Sequence, residues 1–125
     1  MTVVLDTNAL MMPVECDVRV FEELDRLLGR ADCVVPQATL DELDKLAGGA
    51  SEEATAASVG QDLADRCTVV EAAADYADDA VLEIAQRDDV GYAVTNDAPL
   101  KERLLDAGVP VISLRGRHKL DITQP

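Results

Sequence analysis

Five short apolar runs, each rich in valine or otherwise small and apolar, set the limits on what this chain can fold into. They are Val3 to Leu5, Cys33 to Val35, Thr68 to Val70, Tyr92 to Val94 and Val109 to Ile112. Their length suits strands, and a continuous rather than alternating apolar run is what a strand buried on both faces of a parallel sheet requires. Between them the apolar residues recur at helical spacing: Phe21, Leu24, Leu27 and Leu28; Leu40, Leu43, Leu46 and Ala47; Val81, Leu82 and Ala85; Leu100 and Leu104. Gly48-Gly49 closes the second stripe, and Gly108 with Pro110 closes the last. Residues from about Ser51 to Arg66 form a further, Ala-rich helix. Strands alternating with helices predict an α/β fold, a three-layer α/β/α sandwich around a central parallel sheet. At 125 residues, with no repeat or linker, the chain is expected to be one domain spanning 1–125.

The three cysteines, Cys16, Cys33 and Cys67, are odd in number and widely spaced, with no neighbouring histidine. They read as free thiols, mostly buried, rather than as zinc ligands or a disulfide framework. The first apolar run stops at Asp6, too short for a signal core, and no run is long enough to span a bilayer, so a cytoplasmic protein without a membrane partner is expected.

In an open parallel sheet the functional crevice lies beyond the carboxyl ends of the strands. Asp6 follows the first run directly, and Asp97 follows Tyr92 to Val94 through Thr95 and Asn96. Helices that follow strands begin at the same edge, which adds Asp78 and Glu42. At 100° per residue Asp78 shares a face with Val81, Leu82 and Ala85, whereas Asp79 points away. Singly, these acids could serve as helix caps or surface charges. Together they would repel one another unless a cation intervened. With no histidine or cysteine near, an all-oxygen site selects a hard ion, Mg²⁺ or Mn²⁺.

At this point the sequence resembles the PIN-domain ribonucleases. The stretches that carry the likeness are VVLDTNAL around Asp6, VPQATLDELDKL around Glu42, YADDAVLEIA around Asp78, and YAVTNDAPLKERLLDAGVPVISLRGRHKL around Asp97. They occur in family order over nearly the whole chain. The resemblance implies metal-dependent cleavage of RNA, with the four carboxylates as ligands and water attacking the phosphodiester in line. It leaves the third acid as Asp78 or, in a shifted register, Asp79. Thr7, Asn8, Thr95 and Asn96 stand where they could orient water or the carboxylates, or simply form turns. The DD pair and the TND-to-RGRHKL tail look most like the small-subunit rRNA-processing branch and its archaeal relatives, with VapC toxins next. A ribosome-assembly partner, an antitoxin and a homodimer are the partners those branches imply. Rival readings are a non-catalytic scaffold of the same fold binding RNA or protein, and a phosphatase using Asp6 as nucleophile, which would need an acid where Asn8 stands.

Charge bears on the substrate. Acids outnumber bases 25 to 11, for a net charge of −14, which ordinarily disfavours a polyanionic partner. The acids are 16 Asp and 9 Glu, and the bases 8 Arg and only 3 Lys, a bias like that of proteins from salt-accumulating, halophilic organisms. At about 1 M salt the Debye length is ~3 Å, and the repulsion is screened. Bases outnumber acids only after Ala98, so Arg115, Arg117 and Lys119 are the expected RNA contacts, with His118 in a solvated tail. Phe21, Tyr76 and Tyr92 are too few to predict a base-stacking platform.

Overall fold

The structure, a computed structural model, describes residues 1–125. Six strands form one sheet: β1 (Thr2–Leu5), β2 (Asp32–Pro36), β3 (Thr68–Val70), β4 (Tyr92–Val94), β5 (Val111–Arg115) and β6 (Lys119–Thr123). Their order is β3-β2-β1-β4-β5-β6. The first five are parallel, and β6 alone runs antiparallel, paired with β5. Six helices connect them: α1 (Thr7–Glu15), α2 (Val20–Leu28), α3 (Gln37–Leu46), α4 (Glu52–Ala64), α5 (Ala77–Ala85) and α6 (Ala98–Asp106).

Successive residues of the central strands face opposite layers, and the core divides accordingly. Val3, Leu5, Val94 and Ile112 pack with Leu10, Met12, Leu24 and Leu43 on the side of α1 to α4. Val4, Ala93 and Val111 pack with Val81, Ile84, Leu100 and Leu104 under α5 and α6. The expected three-layer α/β/α sandwich is therefore present. α4 can lie close on α1 because Gly60 faces the Leu10 carbonyl, where a Cβ would stand 3.1 Å from that oxygen.

Several sequence expectations need correction. Residues 7–15 form a helix with Pro13 inside it, which apolar spacing alone did not disclose. The last strand of the parallel set begins at Val111 rather than Val109 and continues to Arg115. The basic segment is no solvated tail: Gly116, at φ +71°, turns the chain into β6, and His118 Nδ1 lies 3.1 Å from the Asp17 carbonyl oxygen. Along α5 the buried stripe is Ala77, Ala80, Val81, Ile84 and Ala85, so Ile84 occupies the place assigned to Leu82. The cysteines are free, but only Cys33 is buried; Cys16 and Cys67 are half-buried. No helix is long and apolar enough to cross a membrane.

Candidate active site

The strand order reverses direction at β1, whose neighbours β2 and β4 are reached in opposite senses. Such a switch point leaves a crevice at the carboxyl edge. Here it is an open cavity of about 500 Å³, lined by Asp6, Thr7, Asn8, Glu42, Tyr76, Ala77, Asp78, Asp79, Asp97 and Arg103. All four expected acids are thus brought to one cavity from β1, α3, α5 and the β4–α6 junction.

Asp6 lies deepest, with 3% of its surface exposed. It caps α1 by accepting a 2.7 Å bond from the Ala9 amide, and the Thr95 hydroxyl donates to its other oxygen. Burial nevertheless pushes its carboxyl up to about 7, and the charges of Asp78 and Asp97 add to the rise against those two stabilising bonds. Thr95 is fully buried and also accepts from the Asp97 amide at 3.0 Å, so one hydroxyl ties two acids together. Asp97 caps α6, Oδ2 accepting from the Leu100 amide at 2.9 Å. The capping function weighed from sequence is therefore present, and the carboxylate still reaches the cavity.

Asp78 differs from expectation. It does not lie on the buried face of α5 but beside it, exposed and turned into the crevice. Partial burial, then the charges of Asp97 and Glu42, raise its carboxyl above the ordinary range. Asp79 also lines the cavity, but its carboxylate is engaged by Arg103 at 2.7 Å. Glu42 sits exposed on α3 at the opposite wall.

The polar residues expected to orient water divide into two groups. Asn8 and Asn96 are braces: Asn8 Oδ1 accepts from the Asn96 amide at 3.0 Å, and Asn96 Oδ1 accepts from the Leu114 amide at 2.7 Å, tying the start of α1, the β4–α6 junction and β5 together. Thr7 is different. The residue lines the crevice, and its hydroxyl, like that of Thr39 elsewhere in the fold, is buried without a hydrogen-bond partner in the protein.

Arg115, Arg117 and Lys119 do not line the acidic crevice. Arg115 ends β5 and pairs with Asp121 at 2.9 Å, Arg117 occupies the turn, and Lys119 opens β6. Arg115 and Lys119 line a separate hollow with Arg26. The residues missed from sequence are Tyr76 and Arg103, both in the crevice wall. Arg103 lies in the second turn of the helix that Asp97 caps, within the basic stretch after Ala98.

A three-layer sandwich around a mostly parallel sheet, with a carboxylate-lined crevice at its switch point, defines an α/β domain of the kind the sequence resemblance implied. The profile of the PIN like domain matches residues 3–117, and the chain belongs to that family. It is 27% identical over 124 residues to a protein named Ribonuclease VapC4 from Methanocaldococcus jannaschii, covering 96% of this chain and 95% of the relative. Its fold is similar to that of the PIN domain endonuclease Utp24, with a TM-score of 0.79 and 23% identity over 99% of this chain and 92% of that one. The VapBC2 structure from Rickettsia felis, bound to a DNA fragment from its promoter, is similar with a TM-score of 0.65 at 13% identity, over 90% and 98% of the two chains.

Proposed function

We propose that this protein is a divalent-metal-dependent endoribonuclease that hydrolyses RNA phosphodiester bonds. The observation that carries the reading is the gathering of Asp6, Glu42, Asp78 and Asp97 in one crevice around a buried acid. The donor set fits a hard cation: every candidate ligand is a carboxylate oxygen, and the Thr7 hydroxyl is orphaned beside them. No three acids approach closely enough to cage an ion as they stand, so binding would draw Asp78 and Glu42, which are exposed and unpaired, toward Asp6 and Asp97. Mg²⁺ and Mn²⁺ both suit such ligands. When bound, such a cation supplies Lewis-acid chemistry, acidifying water and offsetting phosphodiester charge.

The chain's own residues then have separable tasks. Asp6 is held by Ala9 and Thr95 and defines the floor. Thr95 fixes Asp6 relative to Asp97. Arg103, tethered by Asp79, places the only cation of the cavity wall where a phosphate would pass.

Similarity to a protein named Ribonuclease VapC4 supports RNA as substrate. The settings remain those that the family resemblance implies, a toxin with an antitoxin or an RNA-processing enzyme with a ribosome-assembly partner. The surface charge of −14 favours operation at high salt. The test is cleavage of labelled RNA with Mn²⁺, Mg²⁺ or chelator present. Activity that needs a divalent cation and disappears in Asp97→Asn supports the reading; full activity in chelator, or an undiminished Asp97→Asn, overturns it.

A further inference from the structure

Tyr76 is the one aromatic residue whose ring is left to solvent. Phe21 is buried and carries the Arg66 guanidinium 4.1 Å above its ring centroid, and Tyr92 is half-buried within the sheet. Tyr76 is 78% exposed, belongs to neither core, and its hydroxyl makes no hydrogen bond. It occupies the N-cap position of α5, where serine, threonine, aspartate or asparagine would bond a free amide; its own side chain bonds none. Nothing in the folding of the domain therefore accounts for a large flat ring at this position. What distinguishes the position is its place: Tyr76 lines the acidic crevice, two residues before Asp78, in the same wall that holds Arg103.

A nucleotide offers a flat base and a charged phosphate, and this wall offers a flat ring and a guanidinium. Ring–base stacking tolerates any base, because every base has a π face. In a duplex both faces of a base are covered by its neighbours, so a ring outside the helix can stack only on a base that is unpaired. We propose that Tyr76 is a stacking platform for one base beside the phosphate that enters the crevice. This inference rests on the nuclease reading above and adds the side chain that seats the base.

The experiment uses the intact chain carrying Asp6→Asn, so that RNA is bound without being cut, in the presence of Mn²⁺. The probe is a fluorescein-labelled single-stranded RNA octamer, with a hairpin whose stem contains the same sequence as its paired counterpart. Tyr76→Ala should bind the octamer about tenfold more weakly, Tyr76→Phe within about twofold of its parent, and the salt dependence should be unchanged, because the ring neutralises no phosphate. A second readout is direct. The chain has no tryptophan and two tyrosines, so in Tyr92→Phe all tyrosine emission comes from Tyr76, and unlabelled octamer should quench it whereas the stem should not. Equal affinities of Tyr76→Ala and its parent, or emission unmoved at saturating octamer, overturn the inference while leaving the nuclease reading intact. Equal quenching by the paired stem overturns stacking on Tyr76 as its cause. No binding and no cleavage of either RNA by the wild-type chain with Mn²⁺ overturns the reading and the inference together.

Discussion

Replacing Asp6 by asparagine should make the metal-free protein more stable at pH 8 relative to wild type than it is at pH 5. Asp6 titrates near 3.8 when unperturbed and is pushed up to about 7 in the fold by burial. Between those values the native state holds a proton that the unfolded chain has released. Stability from that proton is fully present below pH 3.8 and is lost as pH rises through about 7. From pH 5 to pH 8 the loss amounts to roughly 2 to 3 kcal/mol, worked from one site with those two pKa values. For a chain of this size that is roughly 10 °C of melting temperature. Asparagine keeps the shape and can still accept from the Ala9 amide, so the cap survives while the titration disappears. The assay is a set of thermal melts of both proteins from pH 5 to 8 in chelator, followed by Mn²⁺ at pH 8. The gap between the two melting temperatures should change by roughly 10 °C across that range, and Mn²⁺ should raise wild type far more than the variant. Melting curves that stay parallel with pH would refute the idea that burial, rather than a compensating contact, governs Asp6. An equal Mn²⁺ shift in both would refute its role in holding the cation.

The other predictions concern separate parts of the molecule. Asp78→Asn should reduce RNA cleavage by about a hundredfold or more, whereas Asp79→Asn, which removes only the exposed pair with Arg103, should cost no more than about fivefold; single-turnover rates distinguish them. Arg115→Ala with Arg117→Ala, in the Asp6→Asn background, should lower the slope of log affinity against log salt by about 0.7 for every phosphate that these arginines neutralise, and an unchanged slope would remove the β5–β6 hairpin from the RNA path. Gly60→Ala should destabilise the fold by about 1 kcal/mol in urea melts, because the new methyl meets the rigid Leu10 carbonyl and that overpacking exceeds the gain in helix propensity.

Much of the sheet could be read from the sequence because buried parallel strands leave uninterrupted valine runs. Asp6 and Asp97 were legible for the same reason, each standing at the end of such a run. α1 was hidden because Pro13 argues against a helix interior, although Asp6 was already the cap that starts it. β6 was hidden by its charge. Lys119, Leu120, Asp121, Ile122 and Thr123 alternate as an edge strand does, and the Gly116 turn announces the hairpin, but an excess of basic residues drew attention to phosphate instead. The face of Asp78 was nearly right by angle: it borders the buried stripe, and the neighbouring crevice supplies the space that lets it turn outward. Tyr76 could not be singled out, since its significance lies in exposure, and a sequence does not show which of two tyrosines the sheet covers.

The position of β4 between β1 and β5 also bears on when the crevice can form during synthesis of the chain. β1 can pair with β2 early, but the hydroxyl that steadies Asp6 belongs to Thr95, and the partner acid is Asp97. At about 5–20 residues per second, the ribosome needs several seconds to pass from Asp6 to that segment. Throughout that interval the nascent chain carries Asp6 with one edge of its strand unpaired and no crevice above it. With this strand order the acidic crevice cannot assemble until about the final quarter of the chain, from β4 onward, has been made.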